Sequence, residues 1–184
     1  MDILVSSNLE RQLFELTGRN PELIAEWMRQ QKAEKRFQVD PETFAKLRAD
    51  FVGDSADSTE CFETIKRVYE EHNYLLDPHS AVACKVAERL RGDKPVLVAS
   101  TAHWAKFGEN VYRALNGLEP GAPLPADIAS LTGCELNSLI AEKTGCGPVP
   151  AGLAELDSRP IRFTQVIDGD AGAIEAAVLE FLAD

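Results

Sequence analysis

Apolar positions three and four apart dominate the chain and predict a mainly helical protein. Leu9, Leu13 and Leu16 share one face of a helix over 7–16, with Ser7-Asn8-Leu9-Glu10 read as a capping box and Gly18 as the stop. Asn20-Pro21 starts a second helix with Leu23, Ile24, Trp27 and Met28 inward, running to about Lys35. Asp40-Pro41 starts a third, carrying Phe44 and Leu47. Asp57 and Glu60 open a fourth, with Cys61, Ile65, Val68 and Tyr69 inward. Asp77-Pro78 caps a fifth, with Val82, Val86 and Leu90 four apart and Gly92 as its end.

The period then changes. Val96-Leu97-Val98-Ala99 is apolar at every position, which predicts a short strand covered on both faces, as in a mostly parallel sheet. From His103 to Asn116 helical spacing returns, with Phe107, Val111 and Leu115 four apart. Ser100, Thr101 and His103 thus stand where a strand ends and a helix begins, the edge at which open α/β sheets bind ligands. The ordinary alternative is that Ser100 and Thr101 are N-cap residues.

Residues 117–125 and 145–152, rich in Pro and Gly, read as internal loops, with weak helices at 126–132 and 136–144 between them. Ile161–Ile167 predicts a second strand, and Asp170 caps a last helix with Ile174, Ala177, Val178, Phe181 and Leu182 on one face. Possible short strands lie at 36–39 and 51–53. The predicted class is α/β: a mainly helical chain with a small, mostly parallel sheet. So thin a sheet suggests a part of something larger.

Composition narrows the functions. The 184 residues are 45% hydrophobic and 27% charged, ordinary values for a globular chain. A formal charge of −11 argues against nucleic acid, whose binders cluster Lys and Arg. No stretch approaches the ~18 apolar residues of a membrane span. Cys61, Cys84, Cys134 and Cys146 form no CxxC pair, so they read as reduced thiols without a metal, in a cytoplasmic setting. Asp77-Pro78-His79 reads as an Asp cap beside a solvated His, and Gly145-Cys146-Gly147-Pro148, lacking a phosphate-loop pattern, as a turn. Lys106 is a candidate cation for an anionic substrate.

Three blocks in this order, MDILVSSNLERQLFEL (1–16), LLDPHSAV (75–82) and STAHWAKF (100–107), resemble the carboxyl-terminal part of threonine synthase. The likeness spans most of residues 1 to about 117 and is loose beyond. It implies a fold-type-II pyridoxal-phosphate (PLP) enzyme that converts O-phospho-L-homoserine and water to L-threonine and phosphate. It also implies that the Thr101 hydroxyl meets the pyridine nitrogen of the cofactor, with Ser100 and His103 in its neighbourhood and Lys106 toward the substrate. The family usually has Thr where this chain has Ser80 and Pro where it has Trp104.

The family's Schiff-base lysine lies in a Ser-Phe-Lys-Asp block and its cofactor phosphate sits on a Gly-Asn-Phe-Gly loop; neither occurs here. The resemblance therefore implies one C-terminal segment, 1–184, of a larger catalytic domain. It would hold no catalytic residue of its own, be inactive alone, and have the remainder of the enzyme chain and a small-molecule substrate as partners. A free-standing, non-catalytic module that binds a partner or small ligand is the alternative. An exposed apolar face marks the first and its absence the second.

Overall fold

The computed structural model describes residues 6–183; the first five residues of the Met1–Leu16 block lie outside them. Three helices form the amino-terminal cluster: α1 (Ser7–Leu16), α2 (Pro21–Glu34) and α3 (Pro41–Asp50). Leu13, Ile24 and Trp27 bury together, and the Trp27 and Phe37 rings stack with centroids 6.3 Å apart. Each helix starts on a side chain that accepts from a backbone N–H which has no partner within the helix. Asn20 and Asp40 do this as the Asx-Pro pairs predict. For α1 the cap is Ser6, not the Ser7 box, because the Ser6 hydroxyl reaches the Leu9 N–H at 3.3 Å. Thr43 rather than Phe44 is the buried residue of α3, and Phe44 stays half exposed.

The second cluster is built on α4 (Ser58–His72), α5 (Pro78–Leu90), α6 (Gly108–Leu115) and α8 (Gly133–Thr144). The short α7 (Ala126–Ala129) and α9 (Ala151–Ala154) brace its far side. α4 packs on both α5 and α6, and α6 packs on α8. Cys61, Ile65 and Val68 of α4 bury against Leu76, Ala81 and Ala114, while Val111 and Tyr112 of α6 bury with Ile128, Leu136 and Ile140. The predicted inward faces of α4 and α6 are those seen. In α5 the contact face is shifted: Ala81 is fully buried, whereas Leu90 is exposed. A small residue there lets α5 approach α4 closely. Thr132 and Glu135 form a capping box that starts α8 three residues before the predicted 136.

No strand occurs among the described residues, so the predicted sheet is not seen. Val96–Ala99, Ile161–Ile167 and the short segments 36–39 and 51–53 have no ladder partner. A strand exists only by pairing, and an apolar run without a neighbouring strand stays an unpaired segment. Leu97 is 98% exposed and Val166 94% exposed. The last helix, α10 (Ala171–Ala183), begins as expected with the Asp170 carboxylate accepting from the Ala173 N–H at 3.0 Å. Its apolar face, with Ile174, Val178, Phe181 and Leu182, lies exposed.

The accessible surface is 13150 Å² for a 20.2 kDa chain. A compact monomer of that mass exposes roughly 8,800 Å², so this chain shows about 4,400 Å² more. Much of the apolar part of that excess lies on 96–98 and 161–182.

Candidate functional site

The site is built where α4 ends. Asn73 closes α4 in the left-handed conformation, φ 51°, and turns the chain into Tyr74-Leu75-Leu76. Leu75 and Leu76 bury in the two halves of the second core and so fix the next residue, Asp77. Asp77 is 2% exposed. Its Oδ1 accepts from the backbone N–H of His79 at 2.9 Å and of Ser80 at 3.2 Å, which caps α5. Its Oδ2 accepts from the Ser80 hydroxyl. Three donors thus satisfy a buried carboxylate that has no cation partner among the described residues, and each charge-assisted bond offsets part of its desolvation.

The Ser80 hydroxyl also lies 2.9 Å from the hydroxyl of Ser100. That contact joins LLDPHSAV to STAHWAKF across twenty positions. Beyond Ser100, His103 caps a 3-10 turn, Trp104–Lys106, by accepting the Ala105 N–H on Nδ1 at 3.2 Å, which leaves the ring proton on Nε2. Ser100 and Thr101 are therefore not the caps of the helix that follows. His79 lies edge-on to Phe107, ring centroids 5.4 Å apart. Trp104 is 4% exposed and belongs to the core behind the site.

These elements surround an open cavity of about 320 Å³. Asp77, Ser100, His103 and Trp104 line one side. Asn73, Tyr74 and the Gly145-Cys146-Gly147 turn line the other, with Gly145 at φ 66° and Gly147 at φ 68°. The Cys146 thiol is 3.5 Å from the Asn73 carbonyl. The glycine turn is thus part of the rim, which its lack of a phosphate-loop spacing had hidden. Thr101 lies between two lining residues; it is exposed, and its hydroxyl has no hydrogen-bond partner among the described residues. Lys106 is elsewhere, in a second cleft of about 360 Å³ between the start of α6 and the start of α8. Ser100 and His103 therefore share a cavity that Lys106 does not. Beneath α5, burial pushes the Cys61 thiol up from its ordinary pKa, with the Asp77 charge adding to it. Its sulfur lies 3.4 Å from the Pro78 carbonyl. All four cysteines are free.

The structure thus presents a tethered hydroxyl segment beside an open cavity on a helical cluster, with apolar segments left uncovered. Residues 80–142 match the family model described as threonine synthase, C-terminal. The chain is 38% identical over 133 residues to the threonine synthase of Pseudomonas aeruginosa, covering 71% of this chain and 28% of that protein. It is 40% identical over 117 residues to human threonine synthase-like 1, covering 62% and 16%. Over 186 residues it is 32% identical to the threonine synthase of Methylobacillus glycogenes, covering 99% and 33%. Among solved structures, PLP-bound threonine synthase from Brucella melitensis superposes with a TM-score of 0.56 at 37% identity, covering 75% of this chain and 28% of that one. In both sequence and fold this chain is similar to the carboxyl-terminal portion of threonine synthase, as its blocks imply. It spans a third or less of each of these relatives.

Proposed function

We propose that this chain is the carboxyl-terminal segment of a PLP-dependent threonine synthase, forming the wall that faces the cofactor's pyridine ring. The complete enzyme would convert O-phospho-L-homoserine and water to L-threonine and phosphate as a phosphate-eliminating lyase. One observation carries the reading: Ser80 and Ser100 bring two of the three recognised blocks together at one cavity, with the Thr101 hydroxyl unspent beside it. That hydroxyl fits a ring nitrogen. It donates or accepts, and being neutral it does not hold the nitrogen protonated as a carboxylate would. When bound, the cofactor supplies an electron sink that makes proton removal from the substrate and phosphate loss feasible.

In this reading Thr101 meets the ring nitrogen, and Ser100 and His103 shape its neighbourhood. Lys106, in the adjoining cleft, offers its ammonium to an anionic substrate group. The Schiff-base lysine and the phosphate-holding loop come from the remainder of the enzyme chain. That remainder also supplies the strands that Val96–Ala99 and Ile161–Ile167 lack. The excess surface of about 4,400 Å² is of the size that obligate interfaces bury, which supports a packed partner over a free-standing module.

The test is reductive trapping. The 184-residue chain mixed with PLP and borohydride is expected to yield no stoichiometric lysine adduct. The complete enzyme, carrying the Ser-Phe-Lys-Asp block, is expected to yield one. A stoichiometric adduct on a single lysine of the isolated chain would overturn the reading.

A further inference from the structure

The segment that carries Thr101 is held in an unusual way. Among the described residues, Pro95 to Ala102 make no backbone hydrogen bond to the rest of the protein. Their one side-chain hydrogen bond to it is the 2.9 Å contact between Ser100 and Ser80. The Ser80 hydroxyl carries a single hydrogen, and the Asp77 carboxylate only accepts. That hydrogen therefore goes to Asp77 Oδ2, and the Ser100 hydroxyl donates to Ser80. Ser80 and Asp77 are each 2% exposed, so both are held in place by the core, whereas Ser100 is exposed.

A helix cap needs only one carboxylate oxygen, and Oδ1 supplies it here. The second oxygen fixes the Ser80 rotamer and turns its lone pairs toward Ser100. We infer that the buried Asp77–Ser80 pair is a positioning element for Thr101, acting through Ser100. This rests on the Thr101 reading above, but its mechanical part does not require the cofactor. A hydroxyl one residue from a fixed anchor samples far fewer positions than one on a free segment, and the ring-nitrogen contact needs it at a single place. Ser80 does not line the cavity, so the pair acts on Thr101 through Ser100.

Two measurements test this. The first uses the chain without cofactor and reads backbone ¹⁵N order parameters at Thr101 and Ala102. Ser80→Ala and Ser100→Ala are expected to bring both residues below about 0.6, the flexible range, while wild type and the hydroxyl-keeping Ser80→Thr stay above it. Ser100→Ala leaves the Asp77 cap intact, so it reports even if Ser80→Ala fails to fold. Order parameters unchanged in both alanine variants overturn the inference, whatever the cofactor does.

The second uses the complete cofactor-loaded enzyme with ¹⁵N in the pyridine ring. The ring signal in Ser80→Ala is expected to move in the same direction as in Thr101→Ala and to stay at the wild-type position in Ser80→Thr. A signal moved by Thr101→Ala and not by Ser80→Ala overturns the positioning role and leaves the Thr101 reading standing. A signal that Thr101→Ala does not move overturns the Thr101 reading, and this extension with it.

Discussion

Gly108, the first residue of α6, is a position where helix propensity and packing oppose each other. Its φ is not positive, so alanine is conformationally allowed there. On propensity alone Gly108→Ala would gain up to about 1 kcal/mol. A Cβ at this position, however, would fall inside van der Waals contact of the Asn137 Oδ1, with Asn137 Cγ at 3.5 Å and Leu136 Cδ2 at 3.7 Å. Asn137 cannot easily yield, because it is buried and its Nδ2 donates to the Ala105 carbonyl at 2.7 Å. Breaking that bond costs about 1–3 kcal/mol, since it strands buried polar groups. The forced packing adds about 1–3 kcal/mol.

The net expectation for Gly108→Ala is a loss of about 1–5 kcal/mol, centred near 3. At about 2–4 °C per kcal/mol for a chain of this size, Tm falls by about 6–12 °C. Gly133→Ala is the control, because a Cβ there meets nothing within 4 Å; it should be neutral or slightly stabilising. Urea unfolding of both variants, and of Gly108→Ala on an Asn137→Ala background, separates the contributions. Asn137→Ala is itself destabilising, but it removes the obstacle, so adding Gly108→Ala should then cost nothing. Gly108→Ala within about 0.5 kcal/mol of wild type, or a full cost retained on the Asn137→Ala background, would refute the argument.

Trp104 is buried in the core that joins the site to α6 and α8, so Trp104→Ala should cost about 3–5 kcal/mol in urea unfolding; a loss below about 1 kcal/mol would show that it is not a core residue. In acid, Glu60 is held below the ordinary carboxylate range by its bonds from Arg89 and from the Asp57 N–H, and Asp54 by the Ser55 N–H and then Arg89. The folded state gives up these protons more readily than the unfolded chain, so their contribution is present above the ordinary carboxylate pKa of about 4 and lost as pH falls through the depressed values. Urea midpoints should therefore drop below about pH 4, and Glu60→Gln with Asp54→Asn should flatten that limb; an unflattened limb places the acid sensitivity elsewhere. Leu97→Glu with Val166→Lys should leave Tm nearly unchanged while reducing self-association in light scattering, since both side chains are exposed. A fall in Tm of the size that core substitutions give would mean that these residues are covered in this chain.

Most helix starts were legible because a cap is a local device. Asp40, Asp57 and Asp77 each find their N–H partners within three residues, so the pattern holds whatever the rest of the protein does. The Thr132-Glu135 box carried the same signal and marks the true start of α8. Periodicity also placed the inward faces of α4 and α6, but not of α5, where spacing favoured Leu90 and close packing against α4 selected Ala81. At the site, the sequence marked Ser100, Thr101 and His103, and the likeness of two blocks pointed to their chemistry. It did not show that Ser80 holds Ser100, that His103 rather than Ser100 or Thr101 is the cap, or that the Gly145–Gly147 turn completes the rim.

The sequence by itself determined the helices, most of their caps and the family likeness, because those depend on neighbours a few positions away and on residue identity. Tertiary structure alone decided which face of α5 buries, which polar groups meet across twenty positions or more, and that the apolar runs at 96–99 and 161–167 stay unpaired in this chain. A helix closes its hydrogen bonds within its own segment, but a strand and a binding site are completed only by residues brought from elsewhere.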